Sequence, residues 1–181
     1  MRYLCVLLCL IALGALADET ARVPGEPKTE AREKKQPTKK PRVILGRVEY
    51  IVLRDFDVKL KARIDTGAGI SSVHAKILEI KQTDQGERVR FEIEDGDGGT
   101  KKLWRDVVGW ANIKVMNSDE RSRRPIVQLS ICLGGKKLKG RVNLNDRGEF
   151  LYPMLIGRNL LNTGKFLVDP SGRFLVEPGC K

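Results

Sequence analysis

From Val43 onward, apolar and polar side chains alternate with a period of two in one segment after another, and windows with helical spacing are few. The clearest run sets Leu60, Ala62 and Ile64 against Lys59, Lys61 and Arg63, which predicts a strand with one buried face that ends at Asp65. Val43 to Leu53 is rich in β-branched residues and is interrupted by Asp55-Phe56-Asp57. Ser71 to Ala75 leads to another strand at Ile77 to Ile80, and Asp84-Gln85-Gly86 reads as a turn. Arg88 to Glu94 alternates cleanly, Asp95-Gly96-Asp97-Gly98-Gly99 breaks the pattern, and Lys101 to Val108 resumes it, as in a hairpin with a glycine-rich tip. Ile113 opens a further strand, and Ser118 to Arg124 is a charged excursion before Pro125. Ile126 to Leu133 and Leu138 to Leu144 flank Gly134-Gly135-Lys136-Lys137 as a second hairpin. Phe166 to Val168 and Phe174 to Val176 flank Asp169-Pro170-Ser171-Gly172 as a terminal one. The pattern predicts an all-β domain, and closure into a small barrel would remove exposed strand edges.

The first 42 residues follow different rules. Arg2, an apolar run from Tyr3 to Leu13 and the small-x-small triplet Ala15-Leu16-Ala17 read as a signal peptide over residues 1–17. The run is short of the roughly 20 residues of a spanning helix. A periplasmic or secreted location is therefore expected. Residues 18–42 hold Pro24, Pro27, Pro37 and Pro41 among many Lys, Arg and Glu, with too little apolar surface to offset the entropy of ordering, so they read as a disordered basic linker. Residues 43–181 form the folded domain. The formal charge of +11 is concentrated in part at Lys34, Lys35, Lys39, Lys40 and Arg42, which suit an anionic membrane or cell-envelope partner. With aromatics at 6% of the chain, base-stacking surface is scarce, and nucleic acid is not an expected partner. Cys132 and Cys180 are the cysteines beyond the leader. They can pair in an oxidising compartment, or Cys132 can serve as a small buried hydrophobe; both readings stand at this point.

At the end of the first clear strand, Asp65-Thr66-Gly67-Ala68 places a carboxylate on a tight turn that a glycine permits and a threonine hydroxyl can lock. Far downstream stands Pro153-Met154-Leu155-Ile156-Gly157-Arg158-Asn159-Leu160-Leu161. Together these segments resemble the two motifs of retropepsin-like aspartic proteases. Within that superfamily, Gly46-Arg47-Val48-Glu49, Asn145-Asp146-Arg147 and Leu155-Ile156-Gly157-Arg158 are most similar to a bacterial group labelled ATP-dependent zinc proteases, often found beside ATP-grasp ligases. The resemblance covers roughly Val43 to Val176. It implies a closed acid-protease barrel with one short helix near Gly157-Arg158, and endopeptidase chemistry on a peptide or protein substrate. Asp65 would be the catalytic carboxylate, with Thr66, Gly67, Ala68 and Arg158 as loop supports. In that chemistry two carboxylates about 3 Å apart share a proton and activate a water. One motif per chain therefore implies a homodimer. The resemblance also makes Asp95, Gly96, Asp97, Gly98 and Gly99 the candidate flap.

Several features depart from the retropepsin pattern. The flap tip is acidic, Gly69 stands where many retroviral enzymes carry an acidic partner for the second-motif arginine, and the chain continues through Phe166 to Pro178. These features favour a second reading, an inactive retropepsin-like binding or regulatory module. No metal site or cofactor is expected: His74 is the only histidine, the cysteines lack ligand spacing, and the acidic tip lacks the later glutamate of an EF-hand loop. A phosphate-binding glycine loop is absent too, because Gly157 to Lys165 has the wrong spacing and continues into Phe166.

Overall fold

The computed structural model describes residues 41–114 and 121–180. The expected signal peptide at 1–17, nearly all of the linker at 18–42, and Ser118 lie outside the described residues. Twelve strands and one helix are described: β1 (Ile44–Gly46), β2 (Val48–Leu53), β3 (Val58–Ile64), β4 (Ser71–His74), β5 (Lys76–Thr83), β6 (Gly86–Glu94), β7 (Thr100–Asp106), β8 (Gly109–Lys114), β9 (Arg121–Leu133), β10 (Lys136–Asn145), β11 (Met154–Ile156), α1 (Arg158–Gly164) and β12 (Leu167–Asp169). No helix among the described residues is long and apolar enough to cross a membrane.

The barrel expected from the strand pattern is present. Strands pair in the order β10, β4, β11, β3, β2 and β9, and β9 pairs back to β10, so six strands form a ring, with β8 added outside β9. Alternation within each strand supplies the core. In β3 the inward set Val58, Leu60, Ala62 and Ile64 is buried while Lys59, Lys61 and Arg63 are exposed. Those side chains pack with Ile51 and Leu53 of β2, Leu129 and Ile131 of β9, and Val142 and Leu144 of β10. A separate three-stranded sheet, β5-β6-β7, places Val89, Phe91 and Ile93 in the same core. Phe91 meets Phe56 of the β2–β3 turn at 5.6 Å between ring centroids.

The C-terminal stretch differs from the expected hairpin. β12 pairs in parallel with β1, from Ile44 with Leu167 to Gly46 with Asp169. Phe174 to Val176 is not a strand. Phe174 has φ 55° and donates its N–H to the Val48 carbonyl at 2.8 Å. The Leu175 and Val176 amides turn to the fully buried Glu49 carboxylate at 3.0 and 3.4 Å, and the Gly46 amide binds that carboxylate at 2.6 Å. Three backbone donors thus satisfy an acid that alternation places on the buried face of β2 with Ile51 and Leu53. Cys180 is joined to the buried Cys132 by a disulfide, with Cα atoms 5.2 Å apart. The pairing reading of these cysteines is the one the structure adopts.

Candidate active site

Asp65 follows the last residue of β3 and is half-buried. Its position depends on β11, which runs parallel to β3 with Ile156 opposite Ile64 and whose Ile156 carbonyl accepts the Asp65 N–H at 2.9 Å. The chain then reverses tightly. The Asp65 Oδ1 accepts the Gly67 N–H at 2.9 Å and the Ala68 N–H at 3.1 Å, so one carboxylate oxygen is fixed by backbone. Among the described residues Oδ2 has no hydrogen-bond partner, and the turn leaves it available to a ligand. A Cβ at Gly67 would lie 3.2 Å from Oδ1, so glycine is favoured there for space. The Thr66 side chain is exposed.

The second motif supports this loop from the helix start. Arg158 donates from Nη1 to the Thr66 carbonyl at 3.0 Å and to the Gly67 carbonyl at 2.6 Å, and its N–H donates to the Ala68 carbonyl at 2.9 Å. Its Nη2 lies 3.6 Å from the position a Cβ at Gly69 would take. Loop carbonyls thus replace the acidic partner missing at Gly69. Ser71 and Asn159 complete the joint: the Asn159 Oδ1 accepts from the Ser71 N–H and hydroxyl at 3.0 and 2.8 Å, and the Ser71 hydroxyl accepts the Gly157 N–H at 3.0 Å. Gly157 has no space for a side chain, because a Cβ would come within 2.8–2.9 Å of Ile70 and Ala68 backbone atoms. Asp65, Thr66, Gly67, Ala68 and Arg158 are therefore brought together as one rigid unit.

The glycine-rich tip is placed elsewhere. Lys101, two residues beyond Gly99, donates to the Phe56 carbonyl at 2.8 Å in the turn before β3, whereas Asp65 follows the far end of that strand. Seven strand residues span roughly 20 Å. Asp95 is occupied within its own loop, where its Oδ1 accepts the Asp97 and Gly99 amides at 3.1 and 2.9 Å. Gly96 and Gly98 both take φ 86°, a conformation that favours glycine.

One participant had no role in the sequence reading. Arg147 is buried, with Nε donating to the Tyr152 carbonyl at 3.3 Å and the guanidinium 4.3 Å from the Phe150 ring. Burial, then the positive charges of Arg124 and Arg63, lower its pKa, while the Asp65 carboxylate acts in the opposite sense. Burial likewise lowers that of Arg124. An open cavity of about 570 Å³ extends from Ala68 and Gly69 to Lys114, Arg124, Arg147 and Phe150. The Asp65 loop therefore opens onto a cationic cleft. A second cavity, about 540 Å³, shares Asp146 with the first and is lined also by His74, Lys76, Glu92, Glu94 and Thr100. Among the described residues no cluster of His, Cys, Asp and Glu has the arrangement of a metal site.

Asp-Thr-Gly-Ala at the end of β3, braced by Gly-Arg-Asn at the start of α1 within a closed ring, is the arrangement matched by the family described as RimB-like, "Retropepsin-like aspartic endopeptidase RimB", over residues 44–178. The chain belongs to this family. A crystal structure of a Legionella pneumophila protein of unknown function shares 32% identity and superposes with a TM-score of 0.65, covering 75% of this chain and 98% of that one. Curated relatives include a Shewanella pealeana protein named "Probable alpha-L-glutamate ligase", 33% identical over 135 residues. A protein of the same name from Parasynechococcus marenigrum is 27% identical over 135 residues. Each match covers 72% of this chain but only 29% and 28% of the respective relative, so the chain spans less than a third of their length.

Proposed function

We propose that the chain is a secreted or periplasmic aspartic endopeptidase that hydrolyses peptide bonds with a water activated by Asp65, and that its substrate is an acidic, glutamate-containing peptide. The observation that carries this reading is the Asp65 carboxylate, held by two backbone amides through Oδ1 with Oδ2 unoccupied, on a loop whose Ala68 and Gly69 line a cleft with Lys114, Arg124 and Arg147. In the step proposed, a water oxygen adds to the scissile carbonyl carbon as its proton passes to Asp65. That proton is then delivered to the departing amide nitrogen, and the C–N bond breaks to give an acid and an amine. A second copy's Asp65, protonated, would donate to the carbonyl oxygen and take that proton back as the C–N bond breaks, as the shared-proton chemistry requires. The exposed Thr66-Gly67 loop suits such a meeting. Arginine and lysine side chains in a partly dry cleft suit carboxylates of the substrate, and the relatives' names supply the glutamate connection.

The Cys132–Cys180 disulfide supports an oxidising location, since such cross-links are uncommon in reducing compartments. The basic linker is retained as a tether toward an anionic membrane or cell-envelope partner.

One observation favours the second reading, a binding or regulatory module without turnover. β1 is paired with the chain's own β12, and Glu49 holds residues 175 and 176, so the first and last elements among the described residues are engaged within one chain. The test is cleavage of a glutamate-rich peptide by the full chain and by Asp65→Asn, with solution mass measured alongside. Asn retains the Oδ1 acceptor, so the turn should survive while hydrolysis falls by about 10²–10⁴. A chain that binds the peptide but releases no fragments in either form refutes the endopeptidase and leaves the binding module.

A further inference from the structure

We propose that His74 is a positioning residue that, as a neutral acceptor, holds Arg147 in the cleft onto which the Asp65 loop opens, and that its protonation releases that hold. The proposal rests on the cleft being the substrate site. His74 ends β4 and is anchored at its backbone, its N–H donating to the Pro153 carbonyl at 2.7 Å. Its ring nitrogen Nδ1 accepts the Arg147 backbone N–H, also at 2.7 Å. An imidazole nitrogen can accept only when it carries no proton, so this contact selects the ring with hydrogen on Nε2. The bond spans 73 residues of sequence and joins β4 to the turn after β10, from which the Arg147 side chain enters the cationic cavity.

Protonation at Nδ1 would set two donors against each other. An acceptor stands ready for the displaced proton: the Asp146 Oδ1 lies 3.5 Å from the same nitrogen and is itself braced by the Gly148 N–H at 2.9 Å. The groups around the ring divide by sign. Asp146, and Glu92 and Glu94 across the second cavity, favour the protonated ring; Lys76 opposes it. Glu92 is itself 3.6 Å from both Lys76 and Lys102, which reduces its pull. The hydrogen bond that holds Arg147 is present in full with the ring neutral. It is lost when the ring takes a second proton, with Nδ1–H turning to Asp146. Because Arg147 faces substrate carboxylates, the loss should appear as weaker binding of an acidic peptide, with the Asp65 chemistry less affected.

The variant that isolates this role is His74→Asn, whose amide oxygen can take the place of Nδ1 as an acceptor but gains no proton. In ¹H–¹⁵N NMR of the full chain, the Arg147 amide resonance should move as the wild-type ring titrates and stay fixed in His74→Asn. With a glutamate-rich peptide, wild-type KM should rise roughly tenfold between pH 8 and 5.5, with kcat changed less. That of His74→Asn should be flat, and that of His74→Ala raised at both pH values. An Arg147 amide that does not move while the His74 ring titrates overturns the proposal, as does a wild-type pH profile in His74→Asn. If the full chain cleaves nothing at any pH, the endopeptidase reading fails, and the Arg147 resonance by itself decides the role of His74.

Discussion

Breaking the Cys132–Cys180 cross-link tests how far the C-terminal stretch stabilises the barrel. The bond joins positions 48 residues apart, so its removal restores to the unfolded chain the entropy of a loop of that size. In the chain-entropy treatment this amounts to about 4 kcal/mol, a large part of the 5–15 kcal/mol typical of a single domain. The folded state should change less. Cys132 is 1% exposed inside β9 and can remain as a small apolar side chain, while residues 174–176 stay attached to Val48 and Glu49. Cys180→Ser in the full chain should therefore lower the urea midpoint by about 2 M, taking a slope near 2 kcal/mol/M. Reductant should move the wild type by a similar amount and leave the variant unchanged. Activity at low urea should survive, because the Asp65 loop is held by β11 and Arg158 and makes no contact with the cross-link. A wild-type midpoint that reductant does not move, or a variant that unfolds with the wild type, refutes the reasoning.

Glu49→Ala should cost about 2–4 kcal/mol, because Gly46, Leu175 and Val176 lose their shared acceptor and two of those amides are only partly buried; Glu49→Gln, which keeps an acceptor oxygen, should cost less. Urea unfolding measures both, and a loss below about 0.5 kcal/mol for Glu49→Ala contradicts the assignment. Gly157→Ala drives a Cβ into the Ala68 and Ile70 backbone and should shift the loop that carries Asp65. The expected result is about 1–3 kcal/mol of destabilisation with at least a tenfold fall in kcat/KM. Wild-type values for both would show that the loop yields without consequence.

How much was legible in advance follows from the range of each interaction. The strand over 58–64, the hairpins at 95–99 and 134–137, and the Asp65 turn are local. A period of two and a glycine at the right offset specify them within about ten residues. The resemblance carried the reading further, to a closed barrel and to Arg158 as loop support, since it joined two segments some 90 residues apart. It did not extend to the terminal hairpin: Phe174 to Val176 reads as a strand by composition, yet its amides are drawn to Val48 and to the Glu49 carboxylate. The glycine-rich tip likewise reads as a flap by order along the chain, and the fold directs it toward the start of β3.

The sequence by itself determined the alternating strands, the turn that fixes one oxygen of Asp65, and the excess positive charge, because each depends on neighbours a few residues away. Only the tertiary structure decided which charges face Asp65 and how they are held. Arg124 stands in no motif, and Arg147 stands in one to which the sequence assigns no role, until β9 and β10 carry them to the cleft. His74 becomes an acceptor for Arg147 only across the β4–β10 parallel pairing, in which Asn145 stands opposite it. Burial and electrostatic interaction depend on distance in space, and ring closure brings together residues that the chain keeps far apart.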